Sequence, residues 1–379
     1  MAVFDADVLV VGLGAVGSAA LHHVVSRGAT AIGIEQFGRG HTHGSHHGHT
    51  RVYRHAYFEH PDYVPLLLES TAMVRALEVA TGTPLLEECG CLVWGASDST
   101  VVHQSAASAD RYGIATERLD TAQLRERYPW FRVPDGSVGL LEPGAGFIRS
   151  VAAIRAHLER AEALGATVHT DCRVDGWDED GAGVRVQTGV GPLRARALVL
   201  AVGAWTAHVV PMLAPLLTVT RQVQGWVNHP QATPERLPCW LVDRPGDPPL
   251  YGIPTGPLGP SGVGSKIAVH GSSQVVSADG PRMPVTQAEA EVLGRARDAT
   301  IPGLTGSVDP VRSCLYTVTP DEHFLLGAVP HQRRVWLAAG LSGHGFKLAP
   351  ALGAALADLA LTGASTRSVG FLSPERFGR

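Results

Sequence analysis

Two lysines and two arginines are the side chains of this sequence whose types and surroundings best suit chemistry. Lys266 and Lys347 are the only lysines in the chain, and each stands among small or apolar residues, in Gly-Ser-Lys-Ile-Ala-Val and in Gly-Phe-Lys-Leu-Ala-Pro. Each is a candidate functional amine, with an ammonium that reaches solvent from a sheet edge as the alternative. Arg51 and Arg54 stand three residues apart beside Thr50, a pattern typical of binding to a phosphate or a carboxylate. A solvated surface loop would explain the two arginines equally well.

A histidine-rich loop precedes the two arginines and suggests a metal site. Its histidines recur at short spacing and are His41, His43, His46, His47 and His49. Imidazole is a common ligand of zinc, but no carboxylate or cysteine stands among these residues. Arg51 and Arg54 would also repel a divalent cation. We therefore predict that the protein binds no metal here.

A strand and a glycine-rich turn near the N-terminus would position these groups. Asp7 to Val11 is a short β-branched apolar run of the kind found in buried parallel strands. It leads directly into Gly12-Leu-Gly14-Ala-Val-Gly17. Gly12 permits the tight turn, Gly14 lets the backbone approach a pyrophosphate, and Gly17 lets helix and strand pack closely.

The helix and strand that follow complete the pattern of a dinucleotide site. Ser18 to Arg27 is predicted to be a helix, whose N-terminal N–H groups and positive dipole end would face the phosphates. The next strand, Ala31 to Glu35, ends on an acid. Glu35 would lie where a carboxylate can accept hydrogen bonds from a ribose diol.

The strand-glycine-helix pattern recurs at Gly203 and at Gly340, which predicts one doubly wound sheet assembled from separated segments. The expected fold class is therefore α/β, with a Rossmann-like dinucleotide-binding domain and a second, sheet-rich α+β domain. We assign residues 1–80, 145–215 and 311–379 to the dinucleotide-binding domain. Residues 81–144 and 216–310 would form the substrate-binding domain.

Two further segments carry specific expectations. Residues 61–80 are predicted to form a helix whose buried side chains are Val64, Leu67, Leu68, Met73 and Leu77. Prolines and glycines between Pro245 and Gly271 predict exposed turns, although Gly262 to His270 also has the pattern of a strand.

Composition excludes several classes of protein. The net charge of −4, from 31 basic and 35 acidic residues, does not favour nucleic acid as a partner. No run of about twenty apolar residues predicts a membrane span, and the N-terminus does not resemble a signal peptide. The five cysteines are scattered, and Cys89-Gly-Cys91 has neither the spacing of a redox pair nor a matching half of a zinc site. We expect a cytoplasmic protein with reduced thiols.

Three longer motifs resemble those of the monomeric sarcosine oxidase and N-methyltryptophan oxidase family of flavoprotein amine oxidases. The first is Gly44-Ser-His-His-Gly-His-Thr-Arg-Val-Tyr-Arg-His-Ala-Tyr57. The second is Cys314-Leu-Tyr-Thr with Asp321-Glu-His-Phe324, and the third is Ser342-Gly-His-Gly-Phe-Lys347. Together with the glycine turn they occur in the family's order and spacing from end to end of the chain.

The resemblance implies FAD, attached as a thioether between Cys314 and the flavin 8α-methyl group. Thr50, Arg51 and His47 would lie against the flavin ring. The full set of residues expected at the cofactor is Gly12, Gly14, Gly17, Glu35, Ser45, His46, His47, Thr50, Arg51, Val174, Gly203, Cys314, Gly343, Gly345 and Lys347.

The resemblance also implies roles at the substrate. Arg54 and Lys347 would hold the carboxylate of an N-methyl amino acid, and Lys266 would promote the reaction with O2. His270 and Tyr316 would line the pocket, and Arg51 would contribute to both chemistry and cofactor binding.

The activity implied is the FAD-dependent oxidation of a secondary amine, an N-methyl or cyclic amino acid, to an imine. An acyclic imine would hydrolyse to an aldehyde and an amine, while O2 is reduced to H2O2. The protein would act as a monomer. Two alternatives are an NAD(P)-dependent dehydrogenase, supported by the glycine turn alone, and a non-catalytic nucleotide-binding protein.

Three residues depart from the family pattern. His49 stands where the family usually has Asp, Phe58 replaces a small residue, and Leu250 stands where a pocket tyrosine is common. An apolar pocket containing Leu250 and Phe58 favours a bulky apolar or cyclic amino acid over sarcosine. The contrary interpretation is that Phe58 fills the pocket and leaves room only for a small substrate.

Overall fold

The computed structural model describes residues 3–229, 231–256, 264–272 and 274–378. The helices in these residues are α1 (Ala15–Ser26), α2 (Val64–Thr81), α3 (Thr100–Tyr112), α4 (Thr121–Arg127), α5 (Ser150–Ala163), α6 (Thr206–Val209), α7 (Gln287–Thr300) and α8 (Ala349–Thr362). The strands are β1 (Ala6–Val11), β2 (Ala31–Ile34), β3 (Thr50–Tyr53), β4 (Leu86–Glu87), β5 (Cys91–Ala96), β6 (Glu117–Leu119), β7 (Ser137–Glu142), β8 (Gly146–Arg149), β9 (Thr167–His169), β10 (Val174–Glu179), β11 (Val184–Thr188), β12 (Gly191–Leu200), β13 (Thr218–Val227), β14 (Cys239–Arg244), β15 (Asp247–Ile253), β16 (Ser265–Val269), β17 (Val308–Val318), β18 (Leu325–Ala328) and β19 (Val335–Ala339). None of the helices described has the length and apolar character needed to cross a bilayer.

The first sheet joins separated parts of the chain, as predicted. β1 lies between β2 and β12, and β12 also pairs with β19; all three pairings are parallel. β1, β12 and β19 are the strands that lead to the glycines at 12, 203 and 340. The expectation of a Rossmann-like α/β sheet built from discontinuous segments is therefore confirmed.

Alternate residues of β1 face two different cores. Val8 and Val10 pack in the cluster that contains the buried residues of α1, α5 and α8. Leu9 and Val11 face the other side, where residues of β11 and Leu213 cover the sheet. Burial on both faces explains why the strand is an uninterrupted apolar run. The long helices lie on one face only, whereas a doubly wound sheet would carry them on both.

A second sheet carries residues expected at the substrate side and at the flavin. Its strand order is β17-β13-β16-β15-β14-β5-β7-β6. Lys266 on β16 and Cys314 on β17 both lie next to β13, so the sheet brings together positions that are distant in sequence. A small sheet in the order β3-β8-β4 holds Arg51. The predicted domain boundary at residue 311 falls inside β17, and the division into domains remains a prediction.

The predicted burial pattern of α2 was wrong at Leu68. This side chain is 42% exposed, and Met73 is only partly buried. The buried face of α2 includes Val64, Leu67 and Leu77. Leu68 lies about 100° farther round the helix than Leu67, which turns it towards solvent.

The exposed turns expected between Pro245 and Gly271 were found only in part, because a turn lies at Pro245 and Gly246 but β15 and β16 occupy much of the segment that the structure describes. Leu250 and Lys266, in these two strands, have no exposed surface. Pro248 and Pro249 fall at an irregularity of the β14–β15 pairing, where a missing N–H removes no regular ladder bond. The strand predicted to begin at Gly262 begins at Ser265, and residues 262 and 263 lie outside the described residues.

Candidate active site

The glycine turn after β1 is shaped for the close approach of a ligand. Gly12 has a φ of 84°, which favours glycine, and a Cβ on Gly17 would lie 1.7 Å from the Gly12 carbonyl oxygen. A Cβ on Gly14 would meet its nearest described neighbour at 3.8 Å. In the described part of the chain no side chain caps α1 at Gly14, and its first turn contains no acidic residue. The N–H groups at this helix end are therefore available to an anion.

Glu35 follows β2 and supports the same turn. It is 6% exposed, and its carboxylate accepts the Leu13 N–H at 2.8 Å and the Phe37 N–H at 3.1 Å. Burial raises the pKa of Glu35, and the backbone donors oppose that change. Because each carboxylate oxygen has a second lone pair, Glu35 can still accept a hydrogen bond from a ribose hydroxyl.

A cavity of about 280 Å³ lies where the glycine turns meet. The expected cofactor residues that line it are Gly12, Gly14, Glu35, Ser45, His46, Arg51, Val174, Gly203, Gly343 and Gly345. The Thr317 hydroxyl also belongs to a lining residue, and it is buried without a partner among the described residues. Buried polar groups are normally hydrogen-bonded. This hydroxyl, the free end of α1 and the glycine turn together fit a dinucleotide such as FAD.

Arg51 holds the histidine-rich loop in place through hydrogen bonds to backbone carbonyl groups. Its guanidinium donates to the Thr50 carbonyl at 2.7 Å and to the carbonyls of Ser45 and His47 at 2.6 Å each. Gln224 on β13 adds a hydrogen bond to the His47 carbonyl at 3.2 Å. Arg51 thus determines the path of the loop, while its binding of an anion and the cofactor contacts of His47 and Thr50 remain predictions.

The histidines of this loop make contacts within the protein. The Nε2 of His46 lies 2.7 Å from the His41 carbonyl oxygen, and burial lowers the pKa of His46 to about 3. Within the described residues, no group of three or more His, Cys, Asp or Glu side chains is arranged to hold a metal ion.

A smaller cavity of about 70 Å³ adjoins the first. The residues that line both cavities are Arg51, Tyr316, Gly343 and Phe346. Arg54, His270 and Lys347, which were predicted to contact the substrate, line the smaller one. A cofactor that fills the larger cavity would therefore border the pocket that contains these three side chains.

An ion pair between Arg54 and Glu59 lies in the smaller cavity. The Arg54 Nη2 is 2.8 Å from each carboxylate oxygen of Glu59, and Nη1 donates to the Ala56 carbonyl at 2.8 Å. Burial alone would raise the pKa of Glu59, but the charges of Arg54 and Lys347 outweigh it and bring the pKa to about 2. The Phe58 ring lies 4.3 Å from the guanidinium carbon of Arg54. The carboxylate of Glu59 thus occupies the position at Arg54 where the sequence predicts the carboxylate of the substrate.

Lys347 belongs to a chain of hydrogen bonds through Tyr57 and His344. Its Nζ donates to the His344 carbonyl at 2.9 Å and lies 3.4 Å from the Tyr57 hydroxyl, which is 2.6 Å from His344 Nδ1. His344 Nε2 lies 3.1 Å from the Glu322 carbonyl, which can only accept. Nε2 therefore carries the proton, Nδ1 accepts from Tyr57, and the Tyr57 oxygen accepts from Lys347. Burial lowers the pKa of Lys347 to about 7, although Glu59 opposes this.

An aromatic wall of the pocket contains His270, Tyr316 and Tyr251. The His270 ring centroid lies 5.8 Å from that of Tyr316 and 6.3 Å from that of Tyr251. Burial lowers the pKa of His270 to about 4, so its imidazole is neutral at physiological pH. The expectation that Leu250 replaces a pocket tyrosine was wrong, because adjacent strand residues face opposite sides of a sheet. Leu250 packs in an apolar core, and Tyr251 supplies the phenol that lines the pocket.

Lys266 and Cys314 line neither cavity but lie close to Arg51, whose charge acts on both. Lys266 is fully buried, and its Nζ donates to the Thr50 carbonyl at 2.6 Å and to the Gly48 carbonyl at 3.3 Å. Burial lowers the pKa of Lys266 well below its ordinary value. Burial raises the pKa of the Cys314 thiol, and the charges of Arg51 and Lys266 oppose that rise.

Sequence reasoning missed Tyr57, Glu59, Tyr251 and His344 as parts of the site. Tyr57 and His344 fall inside the recognised motifs, but only their contact reveals a shared role. One signal pointed to Glu59, which is the first acidic residue after Glu35 and follows Arg54 by five positions. A single carboxylate near a predicted anion-binding arginine is a natural candidate for its partner.

Comparisons with known proteins agree with this geometry. A sequence model of the family described as FAD dependent oxidoreductase matches residues 7–359. The chain is 36% identical over 375 residues to monomeric sarcosine oxidase of Streptomyces avermitilis, covering 98% of this chain and 97% of that protein. It is 32% identical over 378 residues to N-methyl-L-tryptophan oxidase of Yersinia pestis strain Pestoides F, covering 98% of this chain and 100% of that protein.

Solved structures share the fold over nearly the whole chain. NikD, an unusual amino acid oxidase essential for nikkomycin biosynthesis, superposes with a TM-score of 0.85 at 26% identity, covering 98% of each chain. L-Proline dehydrogenase from P. horikoshii superposes with a TM-score of 0.84 at 21% identity, covering 99% of this chain and 98% of that one, which supports the fold alone. With the glycine turn, the cofactor cavity and these matches, the chain belongs to the FAD dependent oxidoreductase family, in the group of monomeric sarcosine oxidase and N-methyltryptophan oxidase.

Proposed function

We propose that the protein oxidises a secondary amine that carries a carboxylate, an N-methyl or cyclic amino acid, to the corresponding imine. FAD held by the residues of the larger cavity would accept a hydride equivalent from the carbon beside the nitrogen and pass the electrons to O2, giving H2O2. An acyclic imine then hydrolyses in water to a primary amine and an aldehyde, which is formaldehyde when an N-methyl group is oxidised.

The main support for this proposal is the ion pair between Arg54 and the Glu59 carboxylate, in the cavity that Lys347 also lines. A guanidinium that binds one carboxylate with both oxygens at 2.8 Å is equally suited to another. Glu59 lies in the irregular segment between β3 and the helical turn that begins at Pro61. We propose that the substrate carboxylate replaces Glu59 at Arg54 and that Glu59 moves out of the pocket.

The charges of the pocket favour a substrate whose amine is neutral. Arg54 and Lys347 would repel an ammonium and so lower the pKa of a bound amine. Glu59 is the one acidic side chain among the described residues that line this cavity, and His270 is uncharged. A neutral nitrogen keeps the lone pair that assists the loss of hydride from the adjacent carbon. The pocket thus orients the substrate through its carboxylate and leaves the amine uncharged.

Lys266 would serve the reaction with O2. Its amine is fully buried and donates to the carbonyls of Thr50 and Gly48. When this amine is protonated, its positive charge would stabilise the negative charge that develops as O2 is reduced. Because Lys266 does not line the amine pocket, we assign it to oxygen and not to the substrate.

The proposed function can be tested by anaerobic mixing of the holoenzyme with sarcosine, N-methyltryptophan, pipecolate or proline. We expect the absorbance of oxidised flavin to disappear with at least one of them and to return with release of H2O2 when air is admitted. Piperidine, which is pipecolate without its carboxylate, is the matched control. Loss of a charge-assisted hydrogen bond of about 1.5–3 kcal/mol should lower kcat/KM for piperidine roughly 10- to 150-fold.

Three outcomes would contradict separate parts of the proposal. Equal kcat/KM values for pipecolate and piperidine would exclude the carboxylate anchor. Flavin reduction without peroxide release in air would exclude O2 as the acceptor. If none of the four amines reduced the flavin, the proposed substrate class would be wrong.

A further inference from the structure

Cys89 and Cys239 form a pair of thiols beside the amine pocket that the proposed reaction does not use. Their sulfur atoms are 3.9 Å apart, although 150 positions separate the residues in sequence. Cys239 opens β14 and has no exposed surface, whereas Cys89 is half-buried. The Cys239 N–H donates to the Gly90 carbonyl at 3.0 Å, which holds the two segments against each other.

The surroundings give the two thiols different roles. Either thiol can donate in the contact between the two sulfurs. Donation by Cys239 lowers the pKa of Cys89, while burial raises the pKa of Cys239 well above its ordinary value. Cys89 is therefore the thiol that ionises first and the one that solvent reaches. Thiolates are the reactive form of cysteine, so Cys89 suits the role of nucleophile and Cys239 that of resolving thiol.

A nearby hydroxyl provides a second observation. Tyr53 has a buried hydroxyl without a hydrogen-bond partner among the described residues. This phenol is close enough to Cys89 and Cys239 for their charges to raise its pKa, in addition to the larger effect of burial. This unpaired donor is available to stabilise an anionic or oxygen-bearing form of Cys89 by hydrogen bonding.

We propose that Cys89 and Cys239 are a peroxide-sensitive dithiol that closes to a disulfide. The Cys89 thiolate attacks one oxygen of H2O2, which breaks the O–O bond, forms a sulfenic acid and releases hydroxide. The Cys239 sulfur then loses its proton and displaces hydroxide from the Cys89 sulfur. In sum, two thiols and one H2O2 give one disulfide and two waters. Bond formation requires the sulfurs to approach by roughly 2 Å, and we assign this movement to the half-buried Cys89 side chain.

The disulfide would act on the amine pocket through β14. Trp240 and Leu241 follow Cys239 on this strand and line the pocket, as does Cys91, which pairs with Cys239 across β5 and β14. We expect oxidation to change the KM for the amine, reversibly with dithiothreitol. The oxidation of Cys89 and Cys239 does not rest on the proposed function. If that function is correct, the enzyme itself produces the H2O2 that oxidises the pair.

The test treats reduced holoenzyme with added H2O2, blocks the remaining thiols with iodoacetamide and maps tryptic peptides by mass spectrometry. Cys89 and Cys91 fall on one tryptic peptide, so fragment ions must show which of them is alkylated. We expect a peptide linked through Cys89 and Cys239, with Cys91 alkylated. Cys89→Ser should abolish both the linked peptide and the change in KM. Cys239→Ser should leave Cys89 as a sulfenic acid that dimedone traps.

Other results would overturn the proposal. A disulfide between Cys89 and Cys91, or between Cys91 and Cys239 in the Cys89→Ser variant, would assign the chemistry to a different pair. Absence of the linked peptide at peroxide concentrations that oxidise surface methionines would show that the pair is inert. A disulfide that forms without any change in KM would overturn its coupling to the pocket. Because the peroxide is added, the peptide and dimedone results do not depend on the amine substrate, and only the KM measurement requires one.

Discussion

Binding of a carboxylate to this protein should weaken as the pH rises through about 7, because Lys347 then loses its charge. Burial lowers the pKa of Lys347 to about 7. The charges of Glu59 and His270 stay constant from weakly acidic to weakly alkaline pH, because the pKa of Glu59 is about 2 and that of His270 is about 4. Arg54 stays protonated because its pKa is raised by the nearby Glu59 carboxylate, although burial opposes this.

The size of the effect follows from one charged hydrogen bond. Such a bond is worth about 1.5–3 kcal/mol. The Kd of the carboxylate should therefore rise roughly 10- to 150-fold between the pH at which Lys347 is fully protonated and the pH at which it is fully neutral. A bound carboxylate favours the protonated form and therefore raises the pKa of Lys347 in the complex. The affinity is thus at its maximum at pH values below the pKa of Lys347 in the free protein, which is about 7. It falls by about tenfold per pH unit above that value until the pKa of the complex is reached.

Methoxyacetate is a suitable ligand for the measurement because an ether oxygen replaces the amine of sarcosine. It carries no titrating nitrogen, so the pH profile reports the protein alone. Its Kd would be measured by calorimetry with the holoenzyme at a series of pH values on both sides of neutrality. Lys347→Arg keeps a positive charge at every pH and should bind with a flat profile. Lys347→Met should also give a flat profile, with weak binding.

Two results would refute this reasoning. A flat wild-type profile with tight binding would show that Lys347 does not titrate near neutral pH or does not contact the carboxylate. A pH dependence that persists in the Lys347→Arg variant would assign the titration to another group.

Four further predictions concern single residues. Cys314→Ala should release its flavin on acid precipitation, whereas the wild type should keep it in the pellet, as measured by absorbance. Glu35→Ala should lower the FAD content of the purified protein, and Glu35→Gln should lower it less because an amide still accepts a hydrogen bond without charge. Lys266→Met should slow reoxidation of the reduced holoenzyme by O2 about 100- to 1,000-fold in stopped-flow experiments, with a smaller effect on anaerobic reduction by the amine. Phe58→Ala should raise kcat/KM for N-methyltryptophan relative to sarcosine by roughly ten- to a hundredfold, since space for a buried ring is worth about 1.5–3 kcal/mol.

Each of these experiments has a contrary result. Flavin released from the wild type, or retained by Cys314→Ala, would exclude the thioether at that cysteine. Normal FAD content in Glu35→Ala would reduce the acid to a structural role at the strand end. Equal losses in both half-reactions of Lys266→Met would place Lys266 at the substrate or the cofactor. An unchanged substrate ratio in Phe58→Ala would show that this ring does not limit substrate size.

The sequence by itself determined the features that depend on local backbone conformation and on apolar runs. Gly12 has the positive φ that its turn requires, and Gly17 tolerates no Cβ. The strand ending at Val11 is buried on both faces. Such features are readable in a single sequence because the constraint acts within a few neighbouring residues. The motifs around Arg54, Cys314 and Lys347 identified the family for a related reason, since each is a continuous segment.

Only the tertiary structure decided which side chains meet. It placed Glu59 on Arg54, turned Tyr251 and not Leu250 towards the pocket, and brought Cys89 within 3.9 Å of Cys239. The contact between Arg54 and Glu59 depends on the path of the loop after β3, and that between Cys89 and Cys239 joins segments 150 positions apart. The orientation of Tyr251 depends on strand register, since a shift of one residue moves a side chain to the opposite face of a sheet. Part of the pocket lining was therefore predictable, namely Arg54, His270, Tyr316 and Lys347, whereas the pairing of charges and thiols required the folded chain.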